Sequence, residues 1–327
     1  SKDNWKTNAQ VWPTNLSSSA FAGHLEGNGH SVYGLYVNET PAAHNGTNDY
    51  ISGTGAGLFP YAASGAVIRN VHVRNSYISG RGNVGGIIGQ YTGGIGHTTN
   101  SDTAVGGNLG TRENGCNATI ISCKNSGRIH GFSGIMGGII GCGSWYVKIT
   151  GTEEDPTINT GDICVMRENG KVITRGRYGQ KYTYTGGIAG ILREYTSAAY
   201  AVASAKYSDN NAHPDYMPEH QYCRVEYAVN EGAVGSTGMA GGIAGYYWSA
   251  VQPSKEIRNV NSHRGGLQYC RNTGDIYALE GATTNVGSIV GMARMFTYSS
   301  NSGSDLAISL NDKDWQIGVS DCEVGGK

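Results

Sequence analysis

A glycine-rich pentapeptide recurs five times along the chain at nearly even spacing. Its copies begin at Gly85, Gly137, Gly186, Gly241 and Gly287, and read GGIIG, GGIIG, GGIAG, GGIAG and GSIVG. The second residue of each copy falls at 86, 138, 187, 242 and 288, so the successive steps are 52, 49, 55 and 46 residues. A period of this length is typical of solenoids, propellers and repeat arrays. The fold must therefore be one that a chain can build from repeated units.

A second motif precedes these glycine anchors. Cys123–Ile129 (CKNSGRI) matches Cys270–Ile276 (CRNTGDI) position for position, and Val229–Val234 keeps the same order of Asn, Gly and a final apolar residue. Shortened versions are predicted at Asn75 with Ile78, and at Asn169 and Gly170 with Val172. The pattern thus predicts that each unit contains a short strand, an Asn/Gly corner, a second short strand, a variable loop and a strand over the Gly-Gly-Ile anchor.

Stacking explains why a chain would repeat such units. Gly tolerates positive φ, and Asn does so better than most residues, so both suit sharp corners between flat faces. Units that cannot fold alone then bury their apolar residues against the units above and below. Two interior columns are predicted, one of Ile87, Ile139, Ile188, Ile243 and Ile289, and one of Ile129, Val172, Val234 and Ile276.

The predicted fold is all-β, a right-handed parallel β-helix (solenoid) with loop insertions. An antiparallel sandwich or a propeller is the alternative, because short strands with turn signals also build those folds. The hairpin signal Asn-Gly occurs at Asn45, Asn114 and Asn169, but not at one fixed place in each unit. That irregular placement favours the solenoid.

The balance of charges argues against two classes of partner. The chain has 24 Lys and Arg against 25 Asp and Glu, a net charge of −1. This removes the counterion-release term on which nucleic-acid binding depends, so we expect no nucleic-acid partner. No window reaches 18 consecutive apolar residues, so no membrane insertion within this chain is expected either.

The segment Phe21–Leu35 (FAGHLEGNGHSVYGL) and the Gly-Ile-x-Gly anchors together form a joint pattern. This pattern resembles the GLUG-motif family of bacterial surface proteins, many of them from the Bacteroidales, and the motif also resembles a non-catalytic region of immunoglobulin A proteases. The resemblance covers most of the chain, from Phe21 to Gly291. It implies an extracellular β-helix at the cell surface, often described as an adhesion protein, and it transfers no catalytic residues.

With that resemblance, we expect a single β-helix domain over residues 1–327. Residues 1–20 are expected to form an N-terminal cap, because an open end of a β-helix exposes unpaired backbone. Residues 21–311 hold the GLUG-type repeats, with an insert at 195–222, and residues 312–327 begin a further rung or end the domain. No signal or anchor is expected within the chain itself.

Aromatic residues follow each anchor within a few positions, and they are the predicted ligand-binding residues. Flat rings offer large apolar area at low entropy cost, which suits contact with glycan or protein. The competing interpretation is that these rings shield the core beneath the variable loops. The predicted stripe comprises Tyr91, Trp145, Tyr146, Tyr195, Tyr246, Tyr247, Trp248, Phe296 and Tyr298.

The predicted function is that of a secreted, cell-surface adhesion or ligand-binding module without catalytic residues or a cofactor. Its expected partner is a surface glycan or protein of the host or of bacteria. One alternative is a carbohydrate-active β-helix enzyme, a polysaccharide lyase or glycosidase, which needs paired carboxylates or a calcium-binding cluster. A purely structural surface stalk is the other alternative.

Neither the cysteines nor the histidines predict a metal site. The seven cysteines include no Cys-x-x-Cys pair, and the dense polar cluster His213–His220 matches no known ligand spacing. Cys123 and Cys270 occupy the same place in their repeats, and Cys164 and Cys322 are predicted to fall near it. They are interpreted as buried thiols at an interior corner, with pairing of two stacked cysteines as the alternative.

Overall fold

The computed structural model describes fourteen stretches of the chain, and every regular element in them is a β-strand. No helix in these stretches is long and apolar enough to cross a membrane. The described residues are 20–38, 55–63, 65–80, 82–91, 118–131, 134–144, 147–165, 167–168, 171–172, 183–193, 223–251, 266–279, 285–297 and 318–325.

The strands build five sheets that follow one another around each turn of the chain. Sheet 1 contains β1 (His24–Glu26), β6 (Val67–Arg69), β11 (Ala118–Ile121), β16 (Val147–Thr150), β23 (Arg224–Glu226), β28 (Gly266–Gln268) and β33 (Gly318–Ser320). Sheet 2 contains β2 (Ser31–Tyr33), β7 (His72–Arg74), β12 (Lys124–Asn125), β17 (Thr157–Asn159), β24 (Ala228–Asn230), β29 (Arg271–Asn272) and β34 (Glu323–Val324). Sheet 3 contains β3 (Tyr36–Asn38), β8 (Tyr77–Gly80), β13 (Arg128–Gly131), β18 (Ile163–Val165), β25 (Val234–Ser236) and β30 (Ile276–Ala278).

The Gly-Gly-Ile anchors join the remaining two sheets. Sheet 4 contains β4 (Gly55–Ala56), β9 (Asn83–Gly85), β14 (Ile135–Gly137), β21 (Tyr184–Gly186), β26 (Met239–Gly241) and β31 (Asn285–Gly287). Sheet 5 contains β5 (Phe59–Ala62), β10 (Ile88–Tyr91), β15 (Ile140–Ser144), β22 (Ala189–Arg193), β27 (Ala244–Val251) and β32 (Val290–Thr297). The short strands β19 (Arg167–Glu168) and β20 (Lys171–Val172) pair with each other.

All five sheets are parallel, which confirms the predicted parallel β-helix. In each sheet the strands of successive rungs pair with one another, and only β19 and β20 among the described strands run antiparallel. We call each turn a rung. Rungs 1 to 6 are β1–β5, β6–β10, β11–β15, β16–β22, β23–β27 and β28–β32, and rung 7 begins with β33 and β34.

The isoleucine column of the anchors is confirmed. Ile87 donates its backbone N–H to Ile139, Ile139 donates to Ile188, and the series continues through Ile243 to Ile289 with N···O distances of 2.9 to 3.0 Å. The first four are fully buried, and Ile289 packs against the same core. The stacked anchors therefore form one continuous hydrophobic interior.

The second predicted column is correct except at Val172. Ile129, Val234 and Ile276 stack as expected, but Ile163 occupies the place in rung 4. Val172 pairs with Arg167 in the antiparallel β19–β20 pair instead, which interrupts the rung after sheet 3. The prediction chose the wrong Asn-Gly motif in that rung.

The Asn-x-Gly motif of rung 4 is Asn159–Gly161, and Asn169 and Gly170 lie outside the described residues. Asn159 stacks in register on Asn125 and Asn230, and Asn230 stacks on Asn272. The shortened motif at Asn75 was half right: Ile78 belongs to the column, but Asn125 aligns with Val73 rather than with Asn75.

The four stacked asparagines form a buried ladder. The side-chain Nδ2 of Asn125, Asn159 and Asn230 each donates to the Oδ1 of the asparagine in the next rung, with distances of 2.8, 2.9 and 2.7 Å. Each Nδ2 also donates to the carbonyl of the glycine two residues later, at 2.8 to 3.1 Å. Their amide groups thus bond along the helix axis as well as within each turn, as stacked amides do in other parallel assemblies.

The residues with positive φ lie at corners other than the one that carries the asparagine ladder. Asn28, Asn70 and Asn75 adopt it as the general argument predicts, but Ser122, Tyr227, Tyr269 and Asp321 adopt it too. The ladder asparagines are not among these residues, so hydrogen bonding rather than backbone conformation accounts for them.

Candidate functional site

The Gly-Gly-Ile anchor is a corner, not the strand that the sequence predicted. Sheet 4 ends at the first glycine and sheet 5 begins two residues after the second. A β-carbon on Gly85 would overlap the carbonyl oxygen of Ile88, and the first glycine of every later anchor meets the corresponding carbonyl. The chain folds so tightly here that only hydrogen fits.

The second glycine of the anchor lets this corner approach the asparagine ladder. A β-carbon on Gly86 would lie 2.6 Å from Cγ of Asn125, and those on Gly138, Gly187 and Gly242 would overlap the ladder asparagines of the following rungs. Ser288 replaces glycine in the last anchor, where Val324 rather than Asn occupies the next ladder position. The second glycine of each of these anchors thus packs directly against the ladder asparagine of the next rung, across the interior of the β-helix.

Because this corner is pressed inward, the side chains on the outside of sheets 4 and 5 meet each other. Val84, Met136 and Ala240 of sheet 4 point into the main core, so their neighbours along each strand point outward. Ile135 of sheet 4 packs with Cys142 and Ile191 of sheet 5 in a cluster separate from that core. The outer surface is therefore re-entrant at this corner.

We call this surface the corner groove. It consists of the residue two positions before each first glycine and the residue five positions after it, in rungs 2 to 6. Its members are Asn83, Gln90, Ile135, Cys142, Tyr184, Ile191, Met239, Tyr246, Asn285 and Met292. All ten are uncharged residue types, and they form two columns that run along the helix axis.

The middle of the corner groove is apolar and aromatic. Ile135, Cys142 and Ile191 form a buried floor. The rings of Tyr184 and Tyr246, from adjacent rungs, lie above it with centroids 5.5 Å apart and an angle of 42° between their planes, and both are half-buried. This geometry presents two tilted rings to the outside.

Polar groups mark both ends of the corner groove. In rung 2, Asn83 Nδ2 donates to Oε1 of Gln90 at 2.8 Å, while Asn83 Oδ1 is buried with no hydrogen-bond partner. In rung 6, the exposed Asn285 lies 3.8 Å from the sulfur of Met292. The groove thus combines amide groups at its ends with rings and sulfur between them.

The structure divides the predicted aromatic stripe. Tyr91 and Tyr247 are buried in the main core, because their positions on the strands point inward. The prediction that these two rings contact a ligand is therefore wrong, and they belong to the core as the competing interpretation proposed. Tyr246 points outward into the corner groove. Trp248 and Phe296 lie on β27 and β32, in register with Arg294 and Ala250. Outside the described residues lie Trp145, Tyr146, Tyr195 and Tyr298.

Sequence reasoning missed Tyr184 and Met239 because it searched only after the anchor. The signal was available at a fixed offset, two residues before the first glycine, where the two sheets meet. The insert 195–222, the cluster His213–His220 and the N-terminal residues 1–19 lie outside the described residues.

The described ionisable side chains make close contacts on sheets 1 and 2, and Arg224 pairs with Glu226 on sheet 1. Lys124 Nζ is 2.8 Å from Oδ1 of Asp155, and Arg74 Nε donates to Nδ1 of His72 at 2.7 Å. Burial, with Arg74 and Lys124 nearby, lowers the pKa of His72 to about 4. His72 is therefore neutral at physiological pH.

No group of three or more His, Cys, Asp or Glu side chains among the described residues is arranged to hold a metal ion. Of the cysteines, Cys322 shares the register position of Cys270 as predicted, but Cys164 pairs with His130 in sheet 3 and does not. Cys123 and Cys270 are buried, as the structural interpretation expected.

Comparison with known proteins gives no relative: no protein-family model, no curated protein and no solved structure matches this chain.

Proposed function

We propose that this chain is a non-catalytic β-helix module of an extracellular surface protein, and that it binds a neutral glycan along the corner groove. The observation that carries the proposal is the pair of outward columns, uncharged throughout, in which Tyr184 and Tyr246 stand over an apolar floor. The resemblance to GLUG-motif surface proteins supports the extracellular setting and the adhesive role.

The chemistry of the groove favours a glycan over other ligands. Tyrosine rings stack on the C–H faces of sugars, and their hydroxyl groups, together with the amides of Gln90 and Asn285, suit sugar hydroxyls. An acidic polysaccharide would need cationic partners, which none of the ten groove residues supplies. The columns repeat at the strand spacing of about 4.8 Å, so an extended polymer meets equivalent positions on successive rungs.

The experiment is binding of the purified chain to an array of neutral and acidic polysaccharides and to matrix proteins. We expect binding to a neutral glycan, and the Tyr184→Ala and Tyr246→Ala variants should each weaken it about tenfold, the loss of one ring contact.

Tyr33→Ala is the matched control, because Tyr33 is 61% exposed on sheet 2, away from the groove. It should bind like the unmodified chain. Unchanged binding by both groove variants, or binding to proteins or acidic glycans alone, contradicts the proposal.

A further inference from the structure

Two cysteines stack at the C-terminal end of the β-helix. Arg271 pairs with Glu323 and Asn272 with Val324, so Cys270 and Cys322, one residue earlier, share one register position in rungs 6 and 7. The Glu323 N–H donates to the Cys270 carbonyl at 2.8 Å, and a positive-φ residue, Tyr269 or Asp321, precedes each cysteine. Their backbones therefore have matching local conformations.

Their two sulfurs take equivalent places on adjacent rungs. Cys270 Sγ lies 3.6 Å from the carbonyl oxygen of Val225, and Cys322 Sγ lies 3.6 Å from that of Leu267, which stacks on Val225. Hydrogen bonding between the two thiols shifts the pKa of both. Parallel strands lie about 4.8 Å apart, which is within the Cα···Cα range of about 4.4 to 6.8 Å that disulfides span. Cys270 is buried, whereas Cys322 is half-buried and so accessible to a small reagent.

We propose that Cys270 and Cys322 are a redox-active pair that closes to a disulfide and fastens rung 7 to rung 6. The two residues have unequal roles. The hydrogen bond from Cys270 lowers the pKa of Cys322 to about 7, and the same bond together with burial raises the pKa of Cys270 well above its usual value. Cys322 is then the nucleophile and Cys270 the resolving thiol.

The reaction balances with a low-molecular-weight disulfide as the oxidant. The Cys322 thiolate, its proton released to solvent, attacks one sulfur of the reagent, breaks its S–S bond and expels one thiolate. The Cys270 sulfur then loses its proton, attacks Cys322 Sγ and expels the second thiolate. Two protein thiols are oxidised, and the reagent disulfide is reduced by two electrons to two thiols, which take up the two protons.

Cys123 provides a matched comparison within the same column. Its neighbours in that position are Val71 and Thr157, so it has no stacked cysteine. Burial raises its pKa to about 11. Cys123 therefore reports the behaviour of a single buried thiol in the same fold.

The test is to equilibrate the full chain with oxidised glutathione, block the remaining thiols under denaturing conditions and map the peptides by mass spectrometry. We expect two peptides joined by a disulfide between Cys270 and Cys322. Cys123 should carry the blocking reagent, which shows that it remained a free thiol during the oxidation. In the native, reduced chain at pH 7.5, the initial rate of alkylation of Cys322 should exceed that of Cys123 by a factor on the order of a hundred.

Two variants complete the design. Cys123→Ser should retain the linked peptide, and Cys270→Ser should leave Cys322 as a stable glutathione adduct. The proposal is overturned if the unmodified chain yields no linked 270–322 peptide, if it accumulates only the glutathione adduct, or if Cys322 pairs with another cysteine. None of these outcomes depends on glycan binding.

Discussion

Glycine at the anchors is required for space rather than for an unusual backbone angle. The described glycines with positive φ are Gly29, Gly34, Gly65, Gly134 and Gly266, and no anchor glycine is among them. In each anchor the first glycine closes the corner, and the last glycine lies against the backbone of the preceding rung. The recurrence visible in the sequence therefore records close approach between backbones.

Replacing Gly138 by alanine should destabilise the chain by about 3 kcal/mol, because the new methyl group overlaps the Gly187 carbonyl and the side chain of Asn159. The measurement is the midpoint of urea unfolding followed by circular dichroism. Gly23→Ala is the control, since its methyl group would meet only the Phe21 ring at 3.4 Å. Equal stability of the two variants would show that the corner can relax.

At the scale of elements, the periodic anchors made the stacked strands predictable, whereas features set by contacts between distant residues were not. The parallel polarity and the isoleucine column followed from the repeat. Rung 4 was misassigned because Asn169-Gly170 imitates a corner, while the true motif, Asn159-Thr160-Gly161, is recognised only by its register with Asn125. The corner groove was not predicted either, because the sequence does not reveal that the chain bends inward at this corner.

The asparagine ladder couples these elements, so it should be sensitive to a single substitution. Asn159→Ala removes the partner of Asn125 Nδ2 and the donor to Asn230 Oδ1, both buried. Leaving these groups unsatisfied should cost about 2–5 kcal/mol. The free energy of unfolding, measured by chemical denaturation, checks this. Thr160→Ala is the control, because Thr160 is the exposed neighbour of Asn159, and it should change the stability by less than about 0.5 kcal/mol. A neutral Asn159→Ala would mean that water or rearranged side chains satisfy the ladder.

For the molecule as a whole, stability is shared between neighbouring rungs. In a solenoid each repeat contacts only the repeats beside it, so the total is approximately a sum of repeat and interface terms. Within the described chain, rung 5 pairs on both sides, whereas β33 and β34 of rung 7 pair with rung 6 alone. The C-terminal end should therefore open before the centre.

Amide hydrogen exchange on the reduced chain tests that order. The amides of β33 and β34 should exchange more than about tenfold faster than those of β23 and β24, which belong to the same two sheets. Equal protection along the axis would indicate that the β-helix opens as one cooperative unit, contrary to the additive picture.

Rung 4 also shows how the body tolerates added sequence. Residues 151–156 stand where rungs 3 and 5 have a single corner residue, Ser122 or Tyr227, and the strands on both sides keep their register. Asp155 ties this loop back through Lys124 and through its carbonyl to Ser122. We therefore expect the boundary between sheets 1 and 2 to accept an engineered peptide insertion while the flanking strands keep their register.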